Sequence, residues 1–192
     1  MAFLGRTSPE KGLDQAIEIA KRAGVPLKIA AKIDRVDVAY FNNVIKPLLD
    51  HPLIEFIGEI GYPEKAEFLG EATALLFPIN WNEPFGLVMI EAMACGTPVI
   101  AYPLGSVPEV IQEGVTGFIV PDLESAVSAV PRIEEIDRKK CRQHFEQHFG
   151  AERMAQDYLS IYQRLAQGKP SSTRVSNGAQ NWMKLASPSN TT

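Results

Sequence analysis

Short apolar runs alternate with amphipathic stretches along most of this chain, and that alternation restricts the folds open to it more than any other feature. The runs are "AFLG" (2–5), "PLKIAA" (26–31), "LIEFIGEI" (53–60), "ALLFPI" (74–79), "PVIAY" (98–102) and "GFIV" (117–120). Each reads as a strand, and helical patterns fall between them at 8–24, 36–50, 63–72 and 85–96. Strands alternating with helices need crossover connections, so the expected class is α/β: a Rossmann-like parallel sheet flanked by helices on both faces. The strands are largely continuous in apolar residues, as in a sheet covered on both sides. Ligands of such folds bind beyond the carboxyl ends of the strands. The residues just after each strand are therefore the informative ones.

Local signals support the first helix. Ser8 suits an N-cap, Pro9 the first helical position and Gly24 a stop, while Leu13, Ala16, Ile17 and Ala20 share one face. Pro47 sits near the end of the second helical pattern. A last helix at 151–166 carries the stripe Met154, Tyr158, Ile161, Tyr162 and Leu165, which needs another surface or a second copy to pack against. From 168 the sequence "GKPSSTRVSNGAQNWMKLASPSNTT" is poor in apolar residues. The expected division is a domain over 1–167 and a disordered tail over 168–192, with Trp182 an ordinary tail residue.

Composition narrows the function classes. With 192 residues, 45% hydrophobic and 22% charged, one packed domain and a tail are expected. A net charge of −4 argues against a nucleic-acid binder but leaves room for a local basic pocket. Two cysteines without repeated spacing read as free thiols of a reducing compartment. No apolar run approaches the roughly 18 residues of a membrane span. The start "MAFLGRTSPEKG" lacks a basic region followed by an apolar one, so the expected location is cytoplasmic.

Two stretches carry chemistry. In "GRTSPEKG", Gly5 follows a strand, and Arg6 and Lys11 flank a helix entry whose free N–H groups favour an anion. Two readings stand: a phosphate or diphosphate site, or a solvated pair of cations. It is neither a P-loop nor a dinucleotide fingerprint. In "NEPFGLVMIE", Pro84 keeps Glu83 out of the helix, and Glu91 lies eight residues further on. Phe85, Gly86 and Leu87 bring N–H groups to the helix start, a second anion-binding end. Carboxylates bind hydroxyls rather than phosphate. Glu83 and Glu91 thus suggest a polyhydroxylated ligand with a diphosphate between them, against the plainer reading of a capping Glu and a solvent-facing one.

Weaker signals are read plainly. Cys141, His144 and His148 share a helical face but match no metal motif, and an ordinary surface helix is expected. Cys95 reads as a buried inert thiol. Asp34, Arg35 and Asp37 read as a solvated loop, and Trp81 either stacks on a sugar or covers the core.

"GRTSPEKG", "IEFIGEI", "EPFGLVMIE", "AMACGTPVIA" and "GSVPEVIQEGVTGFIV" occur in the order found in the retaining glycosyltransferases of family 4. Over about residues 2–166 the chain resembles their C-terminal half, the donor-binding domain of the GT-B fold. The resemblance implies that Arg6 and Lys11 clamp the diphosphate of a UDP- or GDP-linked sugar. Glu91 would hold the ribose, and Glu83 the hydroxyls of the donor sugar. Backbone groups of Phe85, Gly86 and Leu87 would contact sugar and phosphate, beside Gly5, and the loop at Glu59 and Ile60 would read the base. It implies transfer with retention and needs neither metal nor cofactor. Met1 stands directly before the first strand, so the N-terminal acceptor domain and its histidine are expected to be missing, and the isolated chain inactive without such a partner. The alternatives are a non-catalytic nucleotide-sugar-binding module, a subunit of a split enzyme, or an epimerase or phosphorylase of the same fold.

Overall fold

A computed structural model describes residues 1–167. The expected tail, with Trp182, lies outside the described residues. The chain divides into two compact units, Met1–Gly150 and a segment that begins at Ala151.

The first unit is built on a six-stranded sheet, with strands β1 (Ala2–Arg6), β2 (Leu27–Lys32), β3 (Ile54–Gly58), β4 (Leu75–Phe77), β5 (Val99–Ala101) and β6 (Gly117–Ile119). Their order is β3-β2-β1-β4-β5-β6, and every pair is parallel. The chain thus runs outward to one edge, returns to the centre and runs to the other edge, the doubly wound arrangement expected. β3, β4, β5 and β6 are shorter than their apolar runs, because flanking residues of each run turn into the loops, whereas β1 and β2 extend one residue beyond theirs, to Arg6 and Lys32.

Two apolar cores form, one on each face. Leu13, Ala16 and Ile17 of helix α1 (Leu13–Ala23) pack with Phe3, Ile29 and Leu76. On the other face Leu69 of α2 (Tyr62–Glu71) and Met89 and Met93 of α3 (Leu87–Ala94) pack with Leu75, Phe77 and Val99. Arg138 of α4 (Arg138–His148) stitches this second core to its loops. Its guanidinium donates to Ala72 O at 2.6 Å, Gly70 O at 2.8 Å and Thr97 Oγ1 at 2.9 Å. Those bonds satisfy carbonyls that a buried loop would otherwise leave without a donor.

Two helices depart from the sequence reading. The pattern at 8–24 is not one helix: Pro9–Lys11 is a 3-10 turn, and α1 starts only at Leu13. Gly12 between them is left-handed, at φ 67°, and a Cβ there would fall 2.0 Å from the Pro78 carbonyl oxygen. The backbone of the loop after β1 lies directly against the loop after β4, and this contact breaks the helix. The pattern at 36–50 is helical from Val38 to Leu48 but contains a π turn at Phe41–Ile45. Pro47 explains it, since proline lacks the N–H for a regular turn and its ring crowds the carbonyl one turn earlier.

The second unit contains the expected last helix, Ala151–Ala166, on which the rings of Tyr158 and Tyr162 lie 6.1 Å apart.

Gly24 is left-handed like Gly12 but meets nothing within 4 Å where a Cβ would stand. Gly24→Ala is expected to cost about 1–2 kcal/mol for the conformation alone. Gly12→Ala adds a clash and is expected to cost at least about 1 kcal/mol more. Urea unfolding of the two variants checks this, and equal losses would contradict the Gly12–Pro78 contact.

Candidate functional site

β1 and β4 are neighbours at the point where strand order reverses. Their register pairs Ala2 with Leu75 alone, whereas β1 pairs with β2 over its full length to Arg6. Beyond this short ladder, at the carboxyl ends of the strands, lies a cleft of about 520 Å³. Leu4 and Gly5 of β1, Ala30 and Ala31 of β2 and Phe77 of β4 form its apolar floor. Small residues at the ends of β1 and β2 leave the space open. Lys11, Lys32 and Lys65 face Glu59, Glu83 and Glu91 around its walls. Ile60, Phe85, Gly86 and Leu87 complete the rim.

Glu83 is the most enclosed of these charged groups, at 9% exposure. Its Oε2 lies 2.6 Å from Lys11 Nζ and accepts from the Trp81 indole Nε1 at 3.0 Å. The ammonium also stands 4.7 Å from the centre of the Trp81 ring. The Glu83 backbone is fixed from behind. Ser106 N donates to Glu83 O at 2.8 Å, and a Cβ on Gly105 would lie 2.3 Å from both Glu83 N and O. Only glycine permits that approach. The sequence reading found Glu83 and Lys11 separately; the fold joins residues 72 positions apart.

Glu91 lies on α3, and its Oε1 accepts from Lys65 Nζ at 2.9 Å across from α2. Both side chains are about one-third exposed. Gly86, left-handed, precedes α3, and Leu87 and Val88 of that helix's first turn line the cleft. The Phe85 ring packs edge-on against Phe149, with centres 6.4 Å apart.

Every residue expected at the site lines this cleft except Arg6. Arg6 points to two carboxylates: its guanidinium donates to Glu10 Oε1 at 2.7 Å, and its Nε stands 3.0 Å from Asp37 Oδ2, off the hydrogen-bond line. Asp37 is buried, at 6% exposure, and so is no part of a solvated loop. Glu10 is held below the usual carboxylate range, first by its own backbone N–H, with Arg6 and Lys11 contributing further. Asp37, Glu10 and Lys65 were missed because no spacing marks them; each is visible only as the partner of a residue already under suspicion. Trp81 was seen, but it does not line the cleft.

Residues 1–148 match the family described as glycosyl transferases group 1. The chain belongs to the group 1 glycosyl transferases. It is 31% identical over 185 residues to the D-inositol 3-phosphate glycosyltransferase of Kribbella flavida, an alignment covering 84% of this chain and 42% of that protein. Sucrose-phosphate synthase of Thermosynechococcus elongatus is similar in structure, with a TM-score of 0.73, 26% identity, and coverage of 88% of this chain and 45% of that one. Anabaena HepE, solved with UDP and glucose, shares the fold at a TM-score of 0.69 and 21% identity, over 84% of this chain and 47% of that one. The chain spans about half the length of the relatives it matches. Its strand order and flanking helices are those of a GT-B domain.

No cluster of three His, Cys, Asp or Glu suited to a metal occurs among the described residues. His144 and His148 stack at 4.4 Å, while Cys141 is fully buried. Burial pushes the Cys141 thiol up to about 12, and burial also raises Cys95, which is partly exposed. Burial, and then His148, lower the pKa of His144. No helix among the described residues is long and apolar enough to cross a membrane. Thiol titration of the folded chain near neutral pH is expected to count Cys95 alone, reacting slowly, with Cys141 appearing only on denaturation. Rapid reaction of both would contradict the burial of Cys141.

Proposed function

We propose that the cleft binds a nucleoside-diphosphate sugar, UDP- or GDP-linked, and that the protein transfers the glycosyl group with retention at the anomeric carbon. The observation that carries this reading is the convergence of Lys11, Glu83, Glu91 and the start of α3 on one crevice at the switch point of the sheet. In this reading the diphosphate lies against Lys11 and the N–H groups of Gly86 and Leu87. Glu91 takes the ribose hydroxyls, Glu83 the hydroxyls of the sugar, and the backbone at Glu59 and Ile60 borders the base. The complex of HepE with UDP and glucose, a protein of the same fold, supports the choice of ligand class.

Breaking the bond between the anomeric carbon and the diphosphate leaves negative charge on the departing phosphate and positive character on the sugar. A pre-placed ammonium and oriented N–H groups stabilise the charge on the leaving group as it develops. Arg6, one residue beyond Gly5, is the second cation of this reading, once freed from its carboxylates. The reading places the compensating charge on side chains rather than on a divalent metal.

Calorimetry and thermal shifts with UDP, GDP, ADP and their sugar forms test it. At least one nucleoside diphosphate is expected to bind and to do so equally in EDTA. A ligand at about 100 times its Kd raises stability by about 2.7 kcal/mol. Lys11→Ala is expected to weaken that binding about tenfold or more, roughly 1.4 kcal/mol. A chain that binds none of them at millimolar concentration refutes the proposal. Where transfer is measured, an inverted anomeric product refutes retention alone.

A further inference from the structure

Lys11 already has an anionic partner. Its ammonium lies 2.6 Å from Glu83 Oε2, in a pair whose side chains are 25% and 11% exposed. A diphosphate competes with Glu83 for the Lys11 ammonium, and as the ammonium shifts toward the phosphate it weakens its bond to a carboxylate that has little access to water. Stripping a nearly buried carboxylate of its donor carries a desolvation penalty, and that penalty opposes ligand binding. The same carboxylate oxygen already has another donor, the Trp81 indole N–H at 3.0 Å. Among the described residues, Lys11 and Trp81 are the two side chains that donate to the Glu83 carboxylate.

Trp81 is placed for this role by its indole N–H. Its ring is absent from the cleft lining, and it sits two residues before Glu83 on the loop after β4. A phenylalanine would cover the same surface without offering a donor. The ring face also lies 4.7 Å from Lys11 Nζ, near enough to attract the cation as it swings between partners.

We propose that Trp81 is a positioning residue: the standing donor that keeps Glu83 satisfied and oriented while Lys11 passes from Glu83 to the phosphate of the ligand. The assignment rests on the reading of the cleft as a nucleoside-diphosphate site. It makes the binding of an anion a shift of partners, in which Glu83 gives up part of its hold on the ammonium and retains the indole.

A double-mutant cycle on the full chain tests it, with calorimetry of whichever of UDP, GDP and ADP binds the wild-type protein. Trp81→Phe is expected to weaken that nucleotide about fivefold or more, because Glu83 then holds Lys11 more tightly. Glu83→Gln removes the competing charge and is expected to bind the nucleotide at least as tightly as wild type. In the Glu83→Gln background, Trp81→Phe is expected to change the affinity by less than about twofold. A Trp81→Phe effect of the same size in both backgrounds, or none in either, overturns the assignment and leaves Trp81 a covering residue. Weaker binding by Glu83→Gln overturns the exchange itself. If Trp81→Phe fails to fold, benzothienylalanine at position 81 keeps the ring shape, removes the N–H and serves in the same cycle. A wild-type chain that binds none of the three nucleotides overturns the reading of the cleft together with this assignment, whereas binding without coupling overturns the assignment alone.

Discussion

Two loops meet backbone to backbone, and the site depends on that meeting. The loop after β1 lies against the loop after β4 through Gly12, whose missing side chain lets the Pro78 carbonyl approach, and Asn80 N donates to Glu10 O at 2.9 Å. The loop after β5 then closes on Glu83 through Gly105 and Ser106. Three crossover connections thus meet at a single residue, Glu83. The cleft lies at the carboxyl ends of the strands, and these contacts decide which side chains face it. Without them Lys11 and Glu83 would be solvated charges on separate turns, and a flexible surface pair of that kind contributes little.

The resulting cleft holds its charges in pairs. Lys11 is matched by Glu83 and Lys65 by Glu91, at 2.6 and 2.9 Å. Pairing has a consequence for selectivity. A simple anion can draw off a lysine but leaves the partner carboxylate short of a donor. A neutral sugar can offer hydroxyls to a carboxylate but supplies nothing to pull the lysine away. In the proposed complex a ligand carrying phosphate beside hydroxyl groups compensates both halves of each pair at once, so the pairs would penalise incomplete ligands as well as attract complete ones. The same logic lets a chain of net charge −4 carry the anion site proposed here: the local arrangement of three lysines matters, not the total.

Much of this was legible in the sequence because periodicity and strand ends are local properties. The six apolar runs all became strands, and Pro84 kept Glu83 in the loop before α3. What sequence could not supply was which residue answers which. Lys65 and Glu91 belong to different helices, and Asp37 reached its buried place beside Arg6 only through the packing of the loop after β2. Helix ends were misjudged where tertiary contact outweighed a good capping signal: Ser8 and Pro9 read as a helix start, yet the approach of Pro78 to Gly12 delays α1 to Leu13. Patterns of one element predict that element; pairs across elements follow from the crossover geometry.

The two cations that looked equivalent in "GRTSPEKG" are physically unlike. Arg6 is held by two carboxylates, and one of them, Asp37, has a side chain only 8% exposed. Moving Arg6 away would leave the nearly buried Asp37 carboxylate, whose Oδ2 already lacks a hydrogen bond, without its nearby cation. Lys11 faces the cleft on a flexible stem, and its carboxylate has a second donor in Trp81. An ammonium with rotatable donors also reorients at lower cost than a planar guanidinium locked in a fork. The first response to an entering anion therefore belongs to Lys11. Arg6 can contribute at short range only if Asp37 and Glu10 find other donors; otherwise it acts through its field while it braces the loop that carries Lys11.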